Sequence, residues 1–204
     1  MPKYMINGTG FVSENLRTSS VLKEDIVLLL IKKATEFQGT QTIGILGKKA
    51  LQKSLYFFNL KHDIFNFRWG DYGPISGEIQ QIAKDLISNG NVTVTDVDTM
   101  KQGAVIQNMK FSDVTNVDFL ETKFPLNIDQ DLDEIVHFIA GRSPRDLELL
   151  ASVHFWAQRQ YSMFEEYTVE YILEKLTELK PDAGFTKSDV ESAINTLKSH
   201  KYLV

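Results

Sequence analysis

LQKSLYFFNLKHDIFNFRWGDYGPISGEIQQIAKDLISNGNVTV, residues 51–94, passes through two hydrophobic periods and a sharp turn. Leu51, Leu55 and Phe58, flanked by Tyr56 and Phe57, recur at helical spacing and predict a helix over 48–61 with a lysine-rich far side. Ile64, Phe65, Phe67 and Trp69 are too aromatic and β-branched for a loop and too few for a helix, so a strand is expected over 64–69. Trp69-Gly70-Asp71-Tyr72-Gly73-Pro74 then reads as a turn. Pro74 has no amide hydrogen to donate, Ser76 can cap a following helix, and Glu78 sits at the positive end of its dipole. That helix, 77–88, turns Ile79, Ile82, Ala83 and Leu86 to one face and stops at Asn89-Gly90. Val92–Val94 opens a β-hairpin that returns over 104–109, with Asp98–Gly103 as a polar tip. Helix, strand, turn, helix and hairpin, in that order, outline a winged helix with a wing.

Working outward, residues 1–19 lack sustained periodicity and read as an arm. A helix over 21–37 stops at Gly39, and 111–127 is irregular, a connecting segment. The rest is helical. Asp129 can cap a helix over 130–140, Ser143-Pro144-Arg145-Asp146 starts one running to about 160, another spans 168–179, and Thr186-Lys187-Ser188-Asp189 opens the last. Shifting the numbering by 111 lays Ile79, Ile82, Ala83, Leu86 and Val92 on Val190, Ala193, Ile194, Leu197 and Leu203, a repeat of pattern rather than of identity. The expectation is an α+β, mostly helical protein: a winged-helix-like lobe over 20–110 with a β-hairpin wing, packed on a helical lobe over 128–204, either as two lobes or as one integrated domain.

Composition bounds the chemistry. The 204 residues are 43% hydrophobic and 24% charged and include no cysteine, which removes disulfides, thiolate nucleophiles and cysteine-held zinc or iron–sulfur clusters. The N-terminal twenty residues lack a continuous apolar stretch of the secretory kind, and Ile26–Ile31 is too short to cross a bilayer, so a cytoplasmic protein is expected. Residues 1–98 carry 11 basic against 10 acidic side chains, and 99–204 carry 11 against 17. An acidic C-terminal half is a poor lure for phosphates. The positive charge gathers at Lys32, Lys33, Lys48, Lys49, Lys53 and Lys61, which read first as a solvated helix surface.

His62, His137, His154 and His200 are at least 17 residues apart, without the i, i+4 pair of a helical zinc site. His137 and His154 fall on apolar helix faces, where a core histidine with one hydrogen bond is the common outcome. Asp129, Asp131, Asp133 and Glu134 form the densest acidic cluster, explained by the dipole of the helix they begin. Gly44-Ile45-Leu46-Gly47-Lys48-Lys49 lacks the spacing of a phosphate loop. No catalytic, cofactor-binding or metal-binding residue is assigned.

Trp69 and Tyr72 either anchor a partner or close the core between strand and helix. With Gln80, Gln81 and Lys84 on the outer side of helix 77–88, they make the candidate partner-binding set. If the winged helix binds DNA, the candidates are Lys48, Lys49, Lys53, Gln80, Gln81 and, on the wing, Lys101. The outward face of the would-be recognition helix carries Glu78, Lys84 and Asp85, a net charge of −1, and has no arginine for guanine or phosphate.

Leu51-Gln52-Lys53-Ser54-Leu55-Tyr56, then Tyr72-Gly73-Pro74-Ile75-Ser76, then Leu86-Ile87-Ser88-Asn89-Gly90 resemble the YwgA-like uncharacterised proteins of bacteria and archaea and, more distantly, the SocA-like antitoxin family also called Panacea. The similarity continues in Leu147-Glu148-Leu149-Leu150-Ala151-Ser152 and in Leu179-Lys180-Pro181, and so covers most of 20–204. It departs at Ala50, where the YwgA-like phrase usually has Lys. The YwgA-like group implies no reaction; the SocA-like group implies antitoxins and proteolytic adaptors that act by binding proteins. The resulting expectation is a non-enzymatic interaction or regulatory protein, antitoxin- or adaptor-like, with a protein partner and a second copy of the chain admissible. The alternative is a winged-helix transcriptional regulator.

Overall fold

The computed structural model describes residues 20–38, 47–101, 104–114 and 126–204. They form seven α-helices and two antiparallel strand pairs, an α+β arrangement that is mostly helical. In chain order these are α1 (Ser20–Gln38), α2 (Lys48–His62), β1 (Arg68–Gly70), β2 (Gly73–Ile75), α3 (Gly77–Ser88), β3 (Val92–Lys101), β4 (Ala104–Val114), α4 (Leu126–Ile139), α5 (Pro144–Phe164), α6 (Val169–Leu179), a short 3₁₀ turn (Pro181–Ala183) and α7 (Lys187–Ser199). The expected arm over 1–19, the stop at Gly39 and the wing's Gly103 lie outside the described residues. Among the described residues no helix is long and apolar enough to cross a membrane.

The deciding stretch folds with one correction. The strand expected over 64–69 is confined to 68–70, and its partner is the turn itself: Arg68, Trp69 and Gly70 pair with Ile75, Pro74 and Gly73. The reason lies in Asn59. Its Oδ1 accepts the amides of Ile64 and Phe65, each at 2.6 Å, and its Nδ2 donates to the Phe65 carbonyl. Those two apolar residues are therefore wrapped around the end of α2, where both are buried in the core, and cannot extend a strand.

Other boundaries moved for comparable reasons. β3 and β4 pair from Val92–Val114 to Lys101–Ala104, with an irregularity at Thr93/Val94. Phe111, expected in a connecting segment, is thus a strand residue and fully buried. Helix α4 begins at Leu126, so Asp129 stands inside its first turn rather than at its cap. The caps read at Ser76, Ser143 and Thr186 are present, the last two as complete capping boxes with Asp146 and Asp189.

The buried apolar side chains form one cluster reaching from Ile26 to Leu203, so helices from both expected lobes share a core. At its centre Phe57 of α2, Phe138 of α4 and Tyr202 beyond α7 meet with ring centroids 4.8–4.9 Å apart. His154 is buried between Tyr56 and Tyr202. A carbonyl can only accept, so His154 Nε2 donates to the Tyr202 carbonyl at 3.1 Å, and Nδ1 accepts from the Tyr56 hydroxyl at 2.8 Å. Burial holds its pKa down at about 4, so the ring is neutral at physiological pH. His137, expected in the core, is exposed and touches only the edge of Phe37 among the ring contacts.

The 111-residue pattern reaches the backbone. At the end of α3, Asn89, Gly90 and Asn91 donate to Asp85, Ile87 and Leu86; at the end of α7, His200, Lys201 and Tyr202 donate to Thr196, Lys198 and Leu197, the same positions after the shift. Both turns need a left-handed residue, Gly90 with φ +73° in the first and Lys201 with φ +61° in the second. A side chain in that conformation costs about 1 kcal/mol. Lys201→Gly should therefore raise the urea midpoint by the equivalent of about 0.5–1 kcal/mol, and Gly90→Ala should lower it by a similar amount; a destabilised Lys201→Gly contradicts the assignment.

Candidate functional site

The Trp69–Pro74 turn is held from beneath by polar groups of α2 that burial would otherwise forbid. Gln52 pairs with Ser76 twice: Nε2 donates to the Ser76 carbonyl at 3.0 Å and Oε1 accepts the Ser76 amide at 2.9 Å. The next residue, Lys53, is 1% exposed and donates from Nζ to the Pro74 carbonyl at 2.7 Å. A buried amide with both ends satisfied, and a buried ammonium on a carbonyl, are retained only where geometry is held closely.

Helix α5 supplies the facing polar residues. Lys49 and Lys53 stand four residues apart on α2, and Glu148 and Ser152 four apart on α5, so each pair lies on one face of its helix. Glu148 receives Lys49 Nζ at 2.6 Å and also Lys180 Nζ, which reaches back from the residue after α6. Lys180 and Glu148 are nearly sealed from solvent, whereas the Lys49 side chain is one-third exposed. Two ammonium groups thus share one carboxylate, and the third, on Lys53, feels its charge.

Gly73 lets these groups converge. Its φ is +83°, and a Cβ there would lie 2.5 Å from Ser152 Oγ, 3.6 Å from Lys180 Nζ and 3.7 Å from Lys53 Nζ. Conformation and space both demand glycine. Ser152 Oγ is buried and has no hydrogen-bond partner among the described residues.

Two aromatic rings frame the cluster. Trp69 is half-buried against Phe155 and Trp156, at 5.3 and 5.1 Å between centroids, with Lys180 Nζ 5.5 Å from its ring. Tyr72 is 58% exposed, with Lys49 Nζ 4.4 Å from its ring centroid.

Burial, reinforced by the Lys180 charge, lowers the Lys53 pKa to about 7, with Glu148 opposing in part. Burial also lowers that of Lys180, against the pull of Glu148. For Glu148, burial pushes upward but the hydrogen bonds from Lys180 and Lys49 prevail, and its carboxyl is held below the usual range.

Of the sequence-predicted residues, the structure brings Trp69, Tyr72, Lys49 and Lys53 together. Gln80, Gln81 and Lys84 are exposed on α3, and Gln81 donates to Asp85 at 2.9 Å. Lys48 is exposed; the Lys101 side chain lies outside the described ones. The lysine surface needs correcting. Lys53 is inside, so a phosphate on the surface is out of its reach, and Lys49 is engaged by Glu148 and Tyr72. Lys61 is also committed, to Asp131 and Glu134 at 2.6 Å each, and Lys33 binds Asp129 and Asp133. The acidic cluster at the start of α4 is therefore consumed by cross-helix ion pairs with α1 and α2, beyond any dipole effect. Among the described residues no group of three or more His, Asp or Glu side chains is placed to hold a metal ion.

Gln52, Glu148, Ser152 and Lys180 were not singled out as site residues. Their signal was present: each interrupts an apolar helix face or follows one, and each lies in a segment that carries the family resemblance. No protein-family model matches the sequence, and no curated protein matches it.

Lys53 sets a pH dependence. Unfolded, it keeps its proton to about 10.5; folded, it releases it near 7. Between those values the unfolded chain binds more protons, so this residue makes folding more favourable as pH rises from about 7, and below 7 the full penalty of the buried charge is present. The urea midpoint of the wild type should gain on that of Lys53→Met between pH 6 and 9. Parallel pH profiles for the two proteins would show that Lys53 titrates normally.

Proposed function

We propose that this protein is a non-enzymatic cytoplasmic interaction module, antitoxin- or adaptor-like, that recognises another protein through the Trp69–Ser76 turn and the exposed side of α3. The observation that carries the reading is Tyr72: a large aromatic ring, more than half exposed, on a turn fixed by buried bonds to Gln52 and Lys53. Such a ring loses little conformational freedom on binding, which is the physical property of an interface anchor. Trp69 serves as its footing, packed on α5. The adjacent Gln80, Gln81 and Lys84 extend a polar rim along α3.

Two further points support the reading. Four of the five segments that carry the resemblance to YwgA-like and SocA-like proteins contribute to the cluster under this turn. The order of α2, the β1–β2 hairpin, α3 and the long β3–β4 hairpin also fits a winged helix over about 48–114, a fold used for protein recognition as well as for DNA. DNA binding has less in its favour: Lys53 is buried, and Glu78 on α3 holds Lys23 at 3.0 Å in an ion pair.

The test is capture of partners from the source lysate on the immobilised full chain. Tyr72→Ala, folded by circular dichroism, should reduce capture of a specific partner at least tenfold, and Gln80→Ala with Gln81→Ala should reduce it further. Undiminished capture by both variants would remove this surface as the interface. Retardation of duplex DNA at about 50 mM salt, abolished by Lys48→Ala, would instead favour the transcriptional regulator.

A further inference from the structure

We propose that the lysine cluster beneath Tyr72 is an acceptor site for a single carboxylate, an Asp or Glu side chain of an acidic segment on the partner protein, which enters beside Lys49. The inference rests on the interface reading above and names what that interface recognises.

The argument begins with the imbalance of charge. Lys49 and Lys180 converge on Glu148, Lys180 also feels the charge of Asp71, and Lys53 has only the Pro74 carbonyl to receive its proton-bearing end among the described contacts. Two of the three ammonium groups are almost wholly withdrawn from water, where uncompensated charge is costly. A protein whose overall charge is −5 has thus concentrated positive charge at one place under an exposed turn. The Ser152 hydroxyl adds a buried donor without a partner among the described residues.

Geometry fixes the way in. Lys49 is the open member of the set: its Nζ lies between the Glu148 carboxylate and the face of Tyr72, and its side chain is one-third exposed. An incoming carboxylate can take a remaining N–H of Lys49 on the solvent side, flanked by the Tyr72 ring, and feel the charges of Lys180 and Lys53 behind it. Glu148 already shows that a carboxylate oxygen fits within hydrogen-bond range of these lysines. The charge also selects the ligand. Lys49, Lys53 and Lys180 against Glu148 and Asp71 leave one positive charge at most, less as Lys53 releases its proton near neutrality, and a monoanion balances it; a dianionic phosphate would overshoot and would meet Glu148.

The native tryptophans report on the site, since Trp69 faces Lys180 and lies 5.1 Å from Trp156. The probe is decaglutamate blocked at both ends, titrated into the full chain at about 50 mM salt with tryptophan emission as readout. Saturable quenching is expected, with Kd raised at least tenfold in Lys49→Gln and lowered at least threefold in Glu148→Gln, where the competing carboxylate is gone. Absence of quenching, a Kd indifferent to Lys49→Gln, or tighter binding of inorganic phosphate than of the peptide would overturn the proposal. If Glu148→Gln does not fold, Lys49→Gln decides, because Lys180 still holds Glu148 in that variant. Partner capture separates the two claims. Capture lost in Tyr72→Ala but retained in Lys49→Gln keeps the interface and refutes the carboxylate contact; decaglutamate bound through Lys49, with capture unaffected by Tyr72→Ala, keeps the anion site and refutes the interface.

Discussion

The bond from Lys53 to the Pro74 carbonyl, with the paired bonds from Gln52 to Ser76 beside it, is the constraint on which the arrangement of this protein depends. A two-stranded hairpin of three residues per strand has too few internal bonds to hold its own shape in water. Here α2 holds it from below. The hairpin in turn aims α3, because Ser76 is both the acceptor of the Gln52 amide and the N-cap of that helix. Register of α2, position of the turn and direction of α3 are thus set by one group of buried hydrogen bonds.

Burying these groups has electrostatic consequences that apolar packing would have avoided. An ammonium sealed against a carbonyl needs further compensation, and two more lysines bring positive charge rather than relieving it. Glu148 binds Lys49 and Lys180, leaving Lys53 with its proton loosely held. Elsewhere the same helices use cations differently: Lys33 and Lys61 each meet two carboxylates of α4 at a half-exposed helix contact, where the individual pairs are worth little and mainly set register. Within one helix, then, Lys61 is balanced twice over and Lys53 is short of counter-charge. That contrast is what separates a structural ion pair from the cluster under Tyr72.

The aromatic core supplies the rigidity behind the site. Phe57 follows the site residues on α2 and packs with Phe138 and Tyr202, while Tyr56 hydrogen-bonds His154 on α5, the helix that carries Glu148 and Ser152. His154 is neutral and satisfied at both nitrogens. It ties α2, α5 and the C-terminal segment together without offering a proton donor or acceptor to solvent, a structural role for a residue type often read as chemical.

Local patterns were enough for the existence of the helices, for the caps at Ser76, Ser143 and Thr186 and for the repeated ending of α3 and α7, because periodicity, capping boxes and left-handed turns are settled by residues a few positions apart. They were also enough to mark Trp69–Pro74 as unusual. They misplaced the strand at 64–69, since the bonds of Asn59 to Ile64 and Phe65 depend on where α2 stops, and they read Lys53 as a surface residue. Burial of a lysine is decided by what packs over it: Gly73 from the turn, Ser152 and Glu148 from α5, Lys180 from beyond α6, at separations of 20 to 127 residues along the chain. Amphipathic spacing on α2 says which residues share a face. Only the approach of α5 and the turn determined that the lysine-bearing face of that helix would also be covered, and so converted a stripe of ordinary cations into a charged cluster.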